Sequence, residues 1–200
     1  HEKKCGNVVD GDKIIYLFAK TLHTTGKLYG NTVIGTRHTN MGVEKALNKL
    51  GISLIRTDIG DKYVSSKLEE LNLNIGGEQS GHVFVKNLLP TGDGILNAVL
   101  VSGIVKERAQ KLSAFFDFKL YAQANVNVRV KDKMRVINSE KLTKTIEKEE
   151  KTLDNRGRIM VRVSGTEPYI RIMVESENAA ETNASAERIK NEIIKIDEGE

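Results

Sequence analysis

The chain has 200 residues, 39% of them hydrophobic and 29% charged, a balance that suits a folded globular protein and argues against disorder. A net charge of +4, with lysines spread along the chain, few aromatics and no tryptophan, argues against nucleic acid as a partner and fits small anions. No apolar run approaches the roughly 18 residues of a membrane helix, so no membrane partner is expected. The polar start His1–Asn7 is not a signal peptide; lacking Met, it reads as a surface loop of a longer protein. The lone Cys5 has no disulfide or metal-ligand companion, and the expected location is the cytoplasm.

In chain order, Ile14, Ile15, Leu17, Phe18 and Leu22 recur at helical spacing, predicting a helix from Asp10, a plausible N-cap, to about Leu22. Thr32–Thr36 reads as a strand, Gly42–Leu50 as a helix closed by Gly51, and Ile52–Arg56 as a second strand. A helix over Asp61–Leu71 and a short strand, Leu73–Ile75 running into Gly76 and Gly77, come next. Val83–Val85 is a further strand and about Gly94–Gln110 a long helix. This alternation implies a layered α/β domain with a mixed sheet, residues 11–118, with residues 1–10 a tail or linker of a preceding domain.

Residues 119–200 read differently. Ala124–Val130 alternates Val126, Val128 and Val130 with polar residues, and Glu140–Glu150 is a polar helix. Arg158–Val163 and Tyr169–Val174 are strands around the turn at Ser164–Pro168, and Ala179–Ile196 is a closing helix. The order β-α-β-β-α predicts a small α+β domain.

Four segments could carry chemistry. In Gly76-Gly77-Glu78-Gln79-Ser80-Gly81-His82, the glycines permit a tight loop, and Glu78 and Ser80 could bond adjacent sugar hydroxyls. An ordinary turn with a solvated glutamate is the alternative, and His82 reads more readily as a histidine packed at a strand start than as a proton donor. In Arg162-Val163-Ser164-Gly165-Thr166-Glu167-Pro168, followed by Arg171, hydroxyls, turn amides and guanidinium groups converge, which are the donors that hold a phosphate. A hairpin turn with surface arginines is the alternative there. Asp93, in Thr91-Gly92-Asp93-Gly94, is expected to cap the long helix. Arg37 and His38 follow the first strand and Lys62 the second, where α/β sheets often bind ligands. Asp10-Gly11-Asp12 hints at a metal loop, but no third carboxylate follows, and no metal site is expected in this chain.

At these residues the chain resembles the phosphohexomutase superfamily, and within it the bacterial phosphoglucosamine mutases. The resemblance rests on Val9–Ile14, Gly77–His82, Thr91–Gly94 and Arg162–Pro168 with Arg171, and extends over essentially the whole chain. It implies the third and fourth domains of a four-domain enzyme. Glu78 and Ser80, with His82 and Arg37 beside them, would bind the sugar, and Arg162, Ser164, Gly165, Thr166 and Arg171 its phosphate. The implied reaction interconverts glucosamine 6-phosphate and glucosamine 1-phosphate through a phosphoserine and a bisphosphate, supplying UDP-N-acetylglucosamine. The phosphoserine and the Mg²⁺ loop would belong to the first two domains, leaving no catalytic or metal residue here. The implied partners are a hexosamine phosphate and the N-terminal domains of the same protein. A phosphomannomutase or phosphoglucomutase fragment, or a free-standing sugar-phosphate module, are the alternatives.

Overall fold

The computed structural model describes residues 8–199. Cys5 and the start of the chain lie outside them. The chain separates into two compact units, divided between Lys119 and Leu120.

In the first unit, α1 (Gly11–Thr24) starts where the Asp10 carboxylate accepts from the Lys13 amide at 3.1 Å. It buries Ile15, Tyr16, Leu17, Phe18 and Ala19. Strand β1 (Thr32–Thr36), helix α2 (Met41–Lys49), strand β2 (Ser53–Thr57), helix α3 (Asp61–Glu70) and strands β3 (Ile75–Gly77) and β4 (Val83–Val85) follow. The sheet order is β2-β1-β3-β4; β1 runs parallel to β2 and β3, and β4 is antiparallel to β3. The sheet is therefore mixed, as the sequence implied. The chain crosses from β1 to β2 through α2, then back past β1 to β3 through α3. Right-handed crossovers in opposite directions place the two helices on opposite faces. They also create a switch point at the carboxyl ends of β1 and β3, where α/β sheets leave a crevice. Val64 and Leu68 of α3 close one core against Ile34, Leu73 and Phe84.

Strand β3 is shifted relative to the expected Leu73–Ile75: the two glycines lie inside the strand. Gly76 pairs with Ile34 and Phe84, and a Cβ there would stand 2.9 Å from Ile34 Cβ. Glycine serves close packing here, not a loop. Helix α4 (Gly94–Arg108) is capped by Asp93, whose carboxylate accepts from Leu96 N at 2.7 Å.

The second unit pairs β5 (Ala122–Arg129), β7 (Tyr169–Ser176) and β6 (Gly157–Val163) in an antiparallel sheet of order β5-β7-β6. Val128, Ile170, Ile172 and Val174 face α6 (Glu140–Leu153) and α7 (Ala179–Glu198), burying Leu142, Leu153, Ala186, Ile189 and Ile193 against them. Alternation along the strands sends the residues between to the other face: Asn127, Arg162 and Arg171. Helix α6 runs past the expected Glu150 because Leu153 is a core residue and Asp154 then turns left-handed. The sequence reading lacked α5 (Lys133–Ile137), five residues too short to show a period. Asp132 caps it, and Arg135 Nη2 donates to the carbonyls of Ile196 and Asp197 at the end of α7.

Candidate functional site

Each unit carries one candidate site. In the first, Thr36, His38, Ile59, Glu78, Gln79 and Ser80 line an open depression of about 340 Å³. They come from the carboxyl ends of β1, β2 and β3, so the depression occupies the crevice that the strand order creates. The 78–81 loop is held by backbone. Glu78 N donates to His82 O, Gly81 N to Glu78 O and Gly11 N to Gln79 O, each at 3.0 Å. A Cβ on Gly11 would stand 2.0 Å from Glu78 O, so only glycine lets α1 begin against this loop. Asp12 is buried and accepts from the Asn40 amide at 2.8 Å, at the N-cap of α2. Asp10-Gly11-Asp12 is thus a structural latch: one carboxylate caps α1, the other ties α1 to α2, and the glycine seats the loop.

Glu78 Oε1 accepts from Gly60 N at 3.0 Å, which turns the half-buried carboxylate toward the β2–α3 connection. Glu78 and Ser80 therefore share the depression with His38. Arg37 is exposed and pairs with Asp58 at 3.0 Å, and His82 is exposed beyond the loop; neither lines the depression. Thr36, Ile59 and Gln79 do line it, although nothing in their residue types marks them.

In the second unit, Arg162 on β6 stands directly opposite Arg171 on β7. Side chains opposite one another share a face, and like charges so placed repel. Burial, then the nearby Arg171, lower the pKa of the Arg162 guanidinium from its ordinary value. Arg171 Nη2 donates to Glu167 Oε2 at 2.7 Å and reaches the buried Ser164 Oγ at 3.4 Å. Its Nε is buried with no hydrogen-bond partner. Arg162 has no salt-bridge partner among the described residues.

The strand ends fix the intervening turn: Ser164 N donates to Tyr169 O at 2.8 Å, and Val130 N to Pro168 O at 3.0 Å. Lys133 Nζ takes the carbonyls of Ser164 at 2.8 Å and Glu167 at 3.1 Å. The amides of Gly165 and Thr166 make no backbone hydrogen bond among the described residues, and both residues are exposed. Arg162, Arg171 and Ser164 thus meet at the end of the hairpin that the Gly165 and Thr166 amides close, a donor set able to hold an oxyanion. Lys133 and Asn127, opposite Arg171 on β5, were not singled out from the sequence. The Val126/Val128/Val130 alternation does place Asn127 on the arginine face; nothing local signals Lys133.

Among the described residues no group of three or more His, Cys, Asp or Glu could hold a metal ion, and no helix is long and apolar enough to cross a membrane. These side chains do not fit a Mg²⁺ site.

Two family models match the chain: the phosphoglucomutase/phosphomannomutase alpha/beta/alpha domain III over residues 10–121, and the phosphoglucomutase/phosphomannomutase C-terminal domain over residues 126–192. A phosphoglucosamine mutase of Geobacillus kaustophilus is 42% identical over 92% of this chain and 41% of its own length. One from Desulforamulus reducens is 43% identical over 92% of this chain and 42% of its own length. The chain spans less than half the length of these relatives. The crystal structure of Aspergillus fumigatus N-acetylphosphoglucosamine mutase, in complex with GlcNAc-6P and magnesium, superposes with a TM-score of 0.80 at 18% identity. It covers 98% of this chain and 46% of the fungal one.

Proposed function

We propose that this chain, which belongs to the phosphoglucomutase/phosphomannomutase family, is the substrate-holding half of a phosphoglucosamine mutase. The intact protein interconverts glucosamine 6-phosphate and glucosamine 1-phosphate. In this reading the second unit takes the phosphate through Arg162, Ser164, Arg171 and the amides of Gly165 and Thr166. The first unit supplies Glu78 and Ser80 to the ring hydroxyls, with His38 beside them and Arg37 and His82 at the margin.

The observation that carries the reading is the Arg162–Arg171 pair: two guanidinium groups in register, one with a buried and unsatisfied Nε, next to two turn amides that make no backbone bond. A doubly charged phosphoryl group relieves the repulsion and fills the donors at once. The mutase reaction visits a bisphosphate that must be held in either orientation. A clamp that grips whichever phosphate is not reacting therefore raises the rate by positioning, and not only affinity. The serine that carries the phosphoryl group and the Mg²⁺ of the intact enzyme belong, in this reading, to other parts of the protein.

Calorimetric titration with glucosamine 6-phosphate tests the reading. Ser164→Ala combined with Arg171→Ala weakens binding by about 2 kcal/mol or more, from the loss of charged hydrogen bonds. The isolated chain binds without turnover. An unchanged titration in the double variant removes the clamp, and turnover by the chain alone removes the division of labour.

A further inference from the structure

We propose that Lys133 is a positioning residue that sets the direction of the Gly165 amide, and through it the anion affinity of the 164–168 turn; this rests on the phosphate reading of that turn. The Lys133 ammonium reaches the turn from the start of α5, across 31 positions of sequence, and bonds only carbonyl oxygens: Ser164 O at 2.8 Å and Glu167 O at 3.1 Å. The Ser164 carbonyl and the Gly165 N–H belong to one planar trans peptide and point in opposite directions. Holding that carbonyl toward Lys133 therefore turns the Gly165 N–H away from Lys133. Glycine on one side of this peptide makes its reversal inexpensive, because reversal changes the φ of residue 165 and glycine tolerates either sign. Without a clamp the turn has two accessible settings, and one of them presents a carbonyl oxygen where the anion needs a donor. The second carbonyl, of Glu167, precedes Pro168 and carries no N–H opposite it, so that bond anchors the far end of the turn without consuming a donor.

The clamp is itself anchored. Asp132 accepts from the amides of Met134 and Arg135 at 2.9 and 3.1 Å. Arg135 grips the last carbonyls of α7, and the Lys131 amide donates to the Asp197 carboxylate at 2.9 Å. Among the described residues Lys133 has no carboxylate partner, so its charge is spent on the turn. A lysine suits this task because its ammonium donates to two carbonyls in different directions from a flexible stem.

The test uses the 200-residue chain, labelled with ¹⁵N, and three variants: Lys133→Met, Lys133→Gln and Lys133→Arg. Residual dipolar couplings report the Gly165 N–H direction without ligand, and a glucosamine 6-phosphate titration reports Kd. Lys133→Met changes the Gly165 coupling and raises Kd about tenfold, the scale of one charged hydrogen bond, and Lys133→Arg restores both. Unchanged coupling and Kd in a folded Lys133→Met, or in Lys133→Gln should the methionine variant not fold, overturn the role of Lys133 while leaving the phosphate site standing. A flat titration in the parent chain overturns both readings.

Discussion

The turn after Gly77 and the turn after Val163 each end a strand and each carry a hydroxyl and a carboxylate, yet they are held by different means. The 78–81 loop is set by backbone contact: α1 begins against it because Gly11 has no side chain, and three of its bonds join main-chain atoms. The 164–168 turn is closed by backbone bonds only where the strands end, and between them side chains hold it, with Lys133 on its carbonyls and Glu167 on Arg171. The first arrangement yields a fixed wall, which in the proposed function faces neutral hydroxyls. The second leaves amides and guanidinium groups unsatisfied, which is what a charged ligand needs. A rigid loop tolerates no added atom where it is packed, whereas the charged turn tolerates added volume and fails on loss of charge.

The same substitution in the two places separates these cases most sharply. Gly11→Ala forces a methyl to 2.0 Å from Glu78 O, and the first unit loses about 3 kcal/mol as loop and helix part. Its melting transition falls while phosphate titration by the second unit is unaffected. Alkaline pH adds a second, smaller contrast. Tyr16 on α1 donates to Asp117 at 3.2 Å, and burial, then the Asp117 charge and hydrogen bond, push its pKa up to about 12 from 10.0. The folded state holds this proton more tightly, so the stabilisation is complete below pH 10 and is lost as pH rises toward about 12. The first unit's melting temperature falls across that window, and Tyr16→Phe flattens the fall; equal slopes for both proteins remove the assignment. Gly165→Ala has the smallest effect, changing stability by no more than about 0.5 kcal/mol because its Cβ enters open space. A large loss there means that the turn is packed like its counterpart.

The same distinction explains what could be read from the sequence. Periodicity located β1 and β4 to the residue, and most helices to within a few. Glycine spacing found the 78–81 loop, because contacts set by missing side chains leave glycines behind. It also misplaced β3, since Gly76 gives the same signal for close packing as for a turn. Arg162, Ser164 and Arg171 were visible because the hairpin keeps them near in sequence. Lys133 was not, because its partners are carbonyls, which every residue has. The latch made by Asp10-Gly11-Asp12 was not legible either, because it depends on Asn40 and Gln79, which pattern alone cannot bring to it.

A crystal structure of the chain with glucosamine 6-phosphate tests the central claim most directly. The phosphoryl oxygens should lie within about 3 Å of Arg162, Arg171, Ser164 Oγ and the amides of Gly165 and Thr166. A phosphate seated elsewhere, for example on the exposed lysines Lys144, Lys148 and Lys151 of α6 with the turn unchanged, contradicts it.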